Sequence, residues 1–370
     1  KDPDLYPKFT SQYTDQTVAA NSVIVVCGDK SKVVSNSDMW ETSTNYQTYQ
    51  TQTTGFDGEG QITSAITYVT SENNPKVYWV TGHGEASESN LSTNFSDAIN
   101  KNNVEISDLA LMTDDIPEDA EELVIMSPTT DFSEDEANKV ITYLENGGKL
   151  LMFTSYTGTD MPNLDSILEN YGVKRSSGIV VETDSQHYYP QMPYYLLPNI
   201  QSDDITTEVK SNYILMPVAQ AIQKLDSYRD TITIKSLLTT TEDAYIENDP
   251  ENSTWSKSAD SETGAFDLGV SITETVDDKE TQIIYFSSAS MLSSQIDQAI
   301  SGANSKLAAT ALTSMCDVEQ TVVIPSKSTS YTNLVFTQGA VNTWSIITIA
   351  GIPLVLVVIG VMIWMKRRKQ

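Results

Sequence analysis

The sequence predicts an α/β fold, a parallel sheet wrapped by helices, tied to a bilayer by one helix near its C-terminus. Three observations carry this expectation. Short apolar runs alternate with amphipathic helical patterns between Val77 and Tyr171, the pattern of βαβ units. From Trp344 to Met365 there is no charged residue; as a helix, these roughly 22 residues reach about 33 Å, enough to cross a bilayer. A basic cluster follows at once.

Taken in order, residues 22–27 form an apolar strand, followed by a turn and a second strand ending at Val34. Residues 36–60, rich in Thr, Ser, Asn, Gln and Tyr, lack periodicity and read as loop or edge structure. Ile62, Ile66 and Val69 recur at helical spacing, predicting a helix over 60–69. A strand follows over 77–80. A helix over 89–100 carries Leu91, Phe95 and Ile99 on one face, and 104–111 is a strand. Ile116-Pro117 is a turn and 123–126 a buried strand. Ser133 with Glu136 three residues on is a capping box. Its helix runs to Glu145 and stops at Asn146-Gly147-Gly148. Residues 149–153 are a strand, and 164–171 a helix ended by Gly172.

The second half is less regular. The Tyr- and Pro-rich stretch 188–198 reads as a loop, as does 247–263. Strands are expected over 231–238, 266–275 and 282–286, a helix over 304–315, and short strands over 322–324 and 331–336. The division that follows is an N-terminal α/β segment (1–70), a core (71–200), a second α/β portion (201–340), the membrane helix (344–365) and a basic tail (366–370). The chain begins at Lys1, not Met, and its start is expected to be missing.

The net charge is −28, from 50 acidic against 22 basic residues. Removing the four cations Lys366, Arg367, Arg368 and Lys369 takes the remainder from −28 to −32. Such a body repels phosphate backbones, so nucleic acid is excluded as a partner. The acidity reads as a solvated surface, since no Ca²⁺ loop of the D-x-D-x-D-G type is present. Cys27 and Cys316 read as small core residues; whether they pair is not decided by sequence. In the membrane segment Trp344 and Trp364 fall near the two interfaces and Pro353 is expected to kink the helix. Lys366, Arg367, Arg368 and Lys369 place the C-terminus in the cytoplasm and the acidic body outside.

The candidate site is Thr81-Gly82-His83-Gly84-Glu85. It follows a strand and precedes a helix, so it belongs to the C-terminal edge of the sheet, where open α/β sheets bind ligands. The glycines permit close backbone approach. Neither G-x-G-x-x-G nor a P-loop is present, so no cofactor is indicated. His83 and Glu85 offer two metal ligands where zinc needs three, so no metal is expected. Ser127-Pro128, followed by Thr129 and Thr130, and Ser155-Tyr156 end the next two strands on the same edge and could wall one crevice. The bland alternatives are a structural His83 and turns that position the Ser133 cap. His187 reads as a surface-loop residue; the tyrosines beside it could stack on a sugar or pack on a partner, and a loop tucked against its own domain is the favoured reading.

Several stretches then carry a resemblance: TSAITYVTSENNPKVYWVTGHGE, DDIPEDAEELVIMSPTTDFSEDEANKVITYLENGGKLLMF and NLDSILENYGVKRSSGIVVE, with QIIYFSSASML, GANSKLAATAL and the apolar span after them. Their order and spacing resemble the GldG-type auxiliary component of ABC transporters, named from gliding motility. The resemblance implies an extracytoplasmic, membrane-anchored protein working with an ABC permease and ATPase. It also implies a flavodoxin-like core similar to class I glutamine amidotransferases, and a further membrane helix upstream of Lys1. Where amidotransferases carry a cysteine on a sharp elbow, GGKLLMFTSYTG offers Ser155, with no G-x-S-x-G. Catalysis is therefore not expected, and the mechanism is binding of a small molecule, a glycan or the transporter subunits. The alternatives are a hydrolase-like relic using Ser155, His83 and Glu85, or a structural scaffold. Substrate, direction of transport and oligomeric state are not encoded legibly.

Overall fold

A computed structural model describes residues 7–14, 17–45, 50–71, 74–251, 254–316, 324, 327–328 and 336–368. Its centre is one eleven-stranded mixed sheet. In chain order its main strands are β1 (Lys76–Val80), β2 (Glu105–Leu109), β3 (Glu122–Met126), β4 (Lys149–Phe153), β5 (Val173–Val181), β6 (Gln220–Lys224), β7 (Ile232–Thr239), β8 (Tyr245–Glu247), β9 (Asp267–Val276) and β10 (Lys279–Phe286). The strand Asn199–Ile200 adds to β7.

Five strands run parallel in the order β2-β1-β3-β4-β10. Numbered along that parallel set, this is 2-1-3-4-5, a doubly wound order that reverses between β1 and β3. The rest of the sheet is antiparallel: β9 pairs with β10, and β6, β5 and β8 continue outward while β7 pairs with β9. The sheet therefore crosses residue 200, with strands from both sides of that position in one hydrogen-bonded array.

The parallel strands are apolar on both faces because helices cover both. One face buries Val77, Trp79, Val124, Met126, Leu151, Phe153, Ile284 and Phe286. Against it lie α1 (Thr93–Lys101), through Phe95 and Ile99, and the helix Ala303–Met315, through Leu307, Ala311 and Leu312. The other face buries Leu123, Ile125, Leu150, Met152, Ile283 and Tyr285. It is covered by α2 (Glu134–Glu145), with Val140 and Leu144, and α3 (Pro162–Asn170), with Leu164, Ile167 and Leu168. We number Ala303–Met315 α4.

Most expected elements are present, and the differences have local causes. The helix expected from 89 is a 3-10 turn, Glu88–Asn90, followed by α1, because the Ser92 hydroxyl accepts the Asn94 N–H and caps the helix there. Residues 188–198 are not a plain loop. Tyr188–Tyr189 and Met192–Leu196 form a hairpin that also pairs with Met216–Pro217. Within the polar stretch 36–60, Trp40–Asn45 pairs with Gln50–Phe56 as an antiparallel edge. β5 and β6 were not foreseen: Lys174, Arg175, Ser176, Ser177 and Gly178 interrupt the apolar run of β5. The short strands expected at 322–324 and 331–336 fall largely outside the described residues. Cys316 is buried as expected, but Cys27 is exposed, and both are free. Cys27 ends an edge strand, Val23–Cys27, paired only with Lys30–Val34, so its side chain has little to pack on.

The C-terminal helix is continuous from Gln338 to Arg368 and has none of its apolar window buried in the protein. The interruption expected at Pro353 takes the form of one π turn, Ile347–Gly351, between α-helical segments Gln338–Ile346 and Ile352–Arg368. Proline lacks an N–H and its ring crowds the carbonyl four residues back, here that of Ile349; a widened turn relieves that crowding. Trp344 and Trp364 are exposed, and the Arg368 guanidinium lies over the Trp364 ring at 5.1 Å.

Candidate functional site

The reversal of strand order lies between β1 and β3, and the loops that leave these strands meet there. The His83 carbonyl accepts the N–H groups of Thr129 (2.8 Å) and Thr130 (3.1 Å). It also accepts both threonine hydroxyls, each at 3.2 Å. Gly84 has φ +77°, and a Cβ there would stand 2.1 Å from Thr129 Oγ1, so only glycine lets the two loops close. Sequence alone placed these loops on one edge; the structure stitches them together.

The His83 side chain points inward and the residue is 5% exposed. Its Nδ1 lies 3.4 Å from Glu85 Oε1 and its Nε2 lies 3.3 Å from Glu136 Oε2. The ring packs on Phe132, centroids 4.4 Å apart. The His83 N–H donates to Glu85 Oε2 at 2.7 Å. Both carboxylates are nearly sealed from solvent, at 2% and 4% side-chain exposure. His83 Nδ1, Glu85 Oε1 and Glu136 Oε1 make no hydrogen bond, so the ring is held by packing, while the carboxylates are held by the His83 N–H and by Ser133.

Glu136 has two tasks. Its Oε2 accepts the Ser133 N–H (2.9 Å) and hydroxyl (2.7 Å), which closes the expected capping box on α2. The same oxygen faces His83. Burial works to raise the Glu136 carboxyl, but the Ser133 hydroxyl and N–H, with His83, hold it below the ordinary range. Phe132 and Glu136 were missed as site residues. The capping box was legible, but nothing in sequence links Glu136 to a histidine 53 positions earlier.

Beside this cluster, Ser127 takes φ +54°, unusual for a residue with a side chain. Its N–H donates to the Phe153 carbonyl (2.8 Å) and its hydroxyl to Ser155 Oγ (2.8 Å). Pro128 is buried behind it. Tyr156 turns away and packs with Tyr194, Val218 and Trp255 on a small core of Ile179, Val181 and Tyr245. Ser155 is thus joined to Ser127, and His83 to Glu85 and Glu136; no hydrogen bond or ion pair connects the two groups. Thr81 donates its N–H to the Leu109 carbonyl. The solvent-facing rim consists of Gly82, Gly84, Thr129 and Thr130. Among the described residues, no group of three or more His, Cys, Asp or Glu is placed to hold a metal ion. Chemically the rim offers the glycine backbone and the threonine hydroxyl oxygens as acceptors, the threonine donors being taken by the His83 carbonyl, and it is backed by the inward-facing His83 cluster.

His187 is half-buried rather than fully exposed, its Nδ1 3.2 Å from the Leu197 carbonyl. Of the residues expected to anchor the chain, Trp344, Pro353, Trp364, Lys366, Arg367 and Arg368 belong to the C-terminal helix, while Lys369 lies outside the described residues.

These features define an α/β protein with a doubly wound parallel set and, among the described residues, one apolar helix of membrane-spanning length. The chain belongs to the family described as an ABC-type uncharacterized transport system, whose model matches residues 74–314. It is thus an auxiliary component of an ABC transport system, and the matched region is the body that carries the sheet. No curated protein matches the sequence. Similar solved structures include the N-terminal domain of mmIFT52, with 15% identity, 65% of this chain and 96% of that chain covered, and a TM-score of 0.47. Another is a ThuA-like protein of Parabacteroides merdae, with 12% identity, 72% and 99% covered, and a TM-score of 0.37.

Proposed function

We propose that the chain is a non-catalytic, extracytoplasmic component of the GldG type, anchored by its C-terminal helix. In this reading it acts by binding a substrate or the permease and ATPase subunits, through the rim of Gly82, Gly84, Thr129 and Thr130. The observation that carries the reading is the family membership over 74–314 together with the apolar helix Gln338–Arg368 that follows it. The basic residues Lys366, Arg367 and Arg368 at the end of that helix favour a cytoplasmic C-terminus. The doubly wound order favours the flavodoxin-like and amidotransferase-like description of the core. A non-catalytic role is favoured because both ring nitrogens of His83 face carboxylates and Ser155 has only a hydroxyl partner; a serine nucleophile needs a base in reach.

The test is affinity capture from gently solubilised membranes, comparing the intact chain with one ending at Thr343. An ABC permease and ATPase recovered with the intact chain and lost on truncation supports the reading. Recovery of neither subunit with the intact chain refutes it.

A further inference from the structure

The membrane helix does not leave the body as a loose tether. Thr337 is 5% exposed; its hydroxyl accepts the Ala340 N–H (3.1 Å) and donates to Gln186 Oε1 (3.1 Å). The Gly339 N–H donates to the Ser185 carbonyl at 2.7 Å. Gln338 Oε1 accepts the Gln191 N–H at 2.9 Å. The first turn of the helix is therefore fixed to residues 185–191, the arm and tip of the hairpin formed by Tyr188–Tyr189 and Met192–Leu196.

That hairpin differs in composition from the rest of the body. From Ser185 to Ser202 there is no Asp, Glu, Lys or Arg, where ordinary composition, about a quarter charged, would place four or five. It carries Tyr188, Tyr189, Pro190, Met192, Pro193, Tyr194 and Tyr195 instead. Gln191 and Met192 are exposed, Met192 at 38%.

We propose that the tip of this hairpin, Tyr189 to Met192, is a second membrane contact, resting in the lipid headgroup layer on the ectodomain's side. The proposal rests on the reading of the C-terminal helix as a membrane anchor. Three arguments lead to it. The first is height. Gln338 precedes Trp344, the start of the uncharged 344–365 span, by six residues, or about 9 Å of helix. The headgroup layer adds roughly 5–7 Å outside the hydrocarbon. A tip bonded to Gln338 lies within side-chain reach of it. The second is chemistry. Tyr194 and Tyr195 pack inward, but the tip keeps half-buried Tyr189, whose apolar body and polar end suit the membrane interface, beside exposed apolar Met192. The third is charge. The net charge of −28 makes an anionic lipid surface repel the body as a whole, and an uncharged tip is the part that can approach it. The contact adds no deep insertion; it fixes the orientation of the body over the membrane, and with it the direction the sheet-edge rim faces.

The experiment uses the full chain with Cys27→Ser, which removes the exposed thiol and leaves buried Cys316. Single cysteines at Met192→Cys, Val276→Cys and Ile352→Cys each carry the same environment-sensitive fluorophore. Val276 ends β9 beside Lys279, at the end of the sheet away from the candidate loops, and is 45% exposed. The proteins are reconstituted in phosphatidylcholine vesicles with or without a lipid bearing a nitroxide at headgroup depth, and for position 352 one bearing it along the acyl chain. The expected result is quenching at position 192 at least about threefold greater than at 276, because only the former is within side-chain reach of the roughly 5–7 Å headgroup layer. Equal quenching at 192 and 276, with strong quenching at 352, overturns the hairpin contact and leaves the anchor reading intact. Absence of quenching at 352 overturns the anchor reading, and the hairpin contact falls with it.

Discussion

Asp297 offers the sharpest test of how the body is held together. It is fully buried, on the short helix Ser294–Ala299. One carboxylate oxygen accepts the Ser92 hydroxyl (2.7 Å), the Asn94 amide (2.8 Å) and the Ser305 hydroxyl (2.7 Å). The other accepts the Ser305 N–H at 2.9 Å. Ser92 caps α1, and Ser305 is the third residue of α4, whose N–H has no partner within its own helix. Asp297 thus ties together the starts of two helices that cover the same face of the sheet. In Asp297→Ala the hydroxyls can rotate, but the Ser305 N–H cannot. Leaving it unsatisfied costs about 1–3 kcal/mol. Losing an anion at a helix start costs about 0.3–1 kcal/mol more, and the weakened Ser92 and Asn94 contacts about 1 kcal/mol. The expected total is about 4 kcal/mol, with Asp297→Asn near half of that because its amide donors face other donors. Amide hydrogen exchange is the assay. The protected N–H groups of α4 exchange roughly 10²–10³-fold faster in Asp297→Ala if the loss is expressed in that helix. Exchange in α1 and α4 within about threefold of wild type refutes the reasoning, since each 1.4 kcal/mol is a factor of ten.

Three further outcomes follow from the structure. Glu122 is fully buried, its Oε2 accepting only the Cys316 thiol at 3.3 Å, and burial pushes its carboxyl well above the ordinary 4.5. A raised native pKa gives stability that is full below pH 4.5 and lost as pH rises toward the native value. Glu122→Gln is therefore expected to raise the urea midpoint at pH 8 and to lose that gain near pH 4; a lower midpoint at pH 8 contradicts it. Glu136→Ala removes the capping box and the partner of His83 Nε2 together, at about 2–3 kcal/mol. Exchange and proteolysis are expected to rise in both 82–85 and 133–137, whereas a purely capping role confines the change to the helix. In Gly178→Ala the new Cβ would stand 2.2 Å from the Glu247 backbone carbonyl, so β5 and β8 must part. A loss of about 3 kcal/mol is expected, against less than about 0.5 kcal/mol for the exposed Ser177→Ala, read from denaturation midpoints.

What could be read from sequence follows the range of the forces involved. The strands β1, β3 and β4, helices α2 and α3, the Ser133–Glu136 capping box and the apolar helix ending in basic residues are products of local periodicity and short-range hydrogen bonds. Each is contained within a window of one element, so the sequence by itself determined them. The candidate loop was also placed correctly at the C-terminal edge of the sheet, because the end of a parallel strand has one direction. β5 was illegible because polar residues interrupt its apolar run, and its strand character comes from pairing with β6 and β8. Only the tertiary structure decided that His83 turns inward between Glu85 and Glu136. It alone decided that Glu122 is buried beside a thiol 194 positions away and that Asp297 holds a serine 205 positions away. Those contacts arise when the sheet brings distant segments within hydrogen-bonding range, and a charge without water around it must find its partners there. No pattern along the chain encodes that geometry.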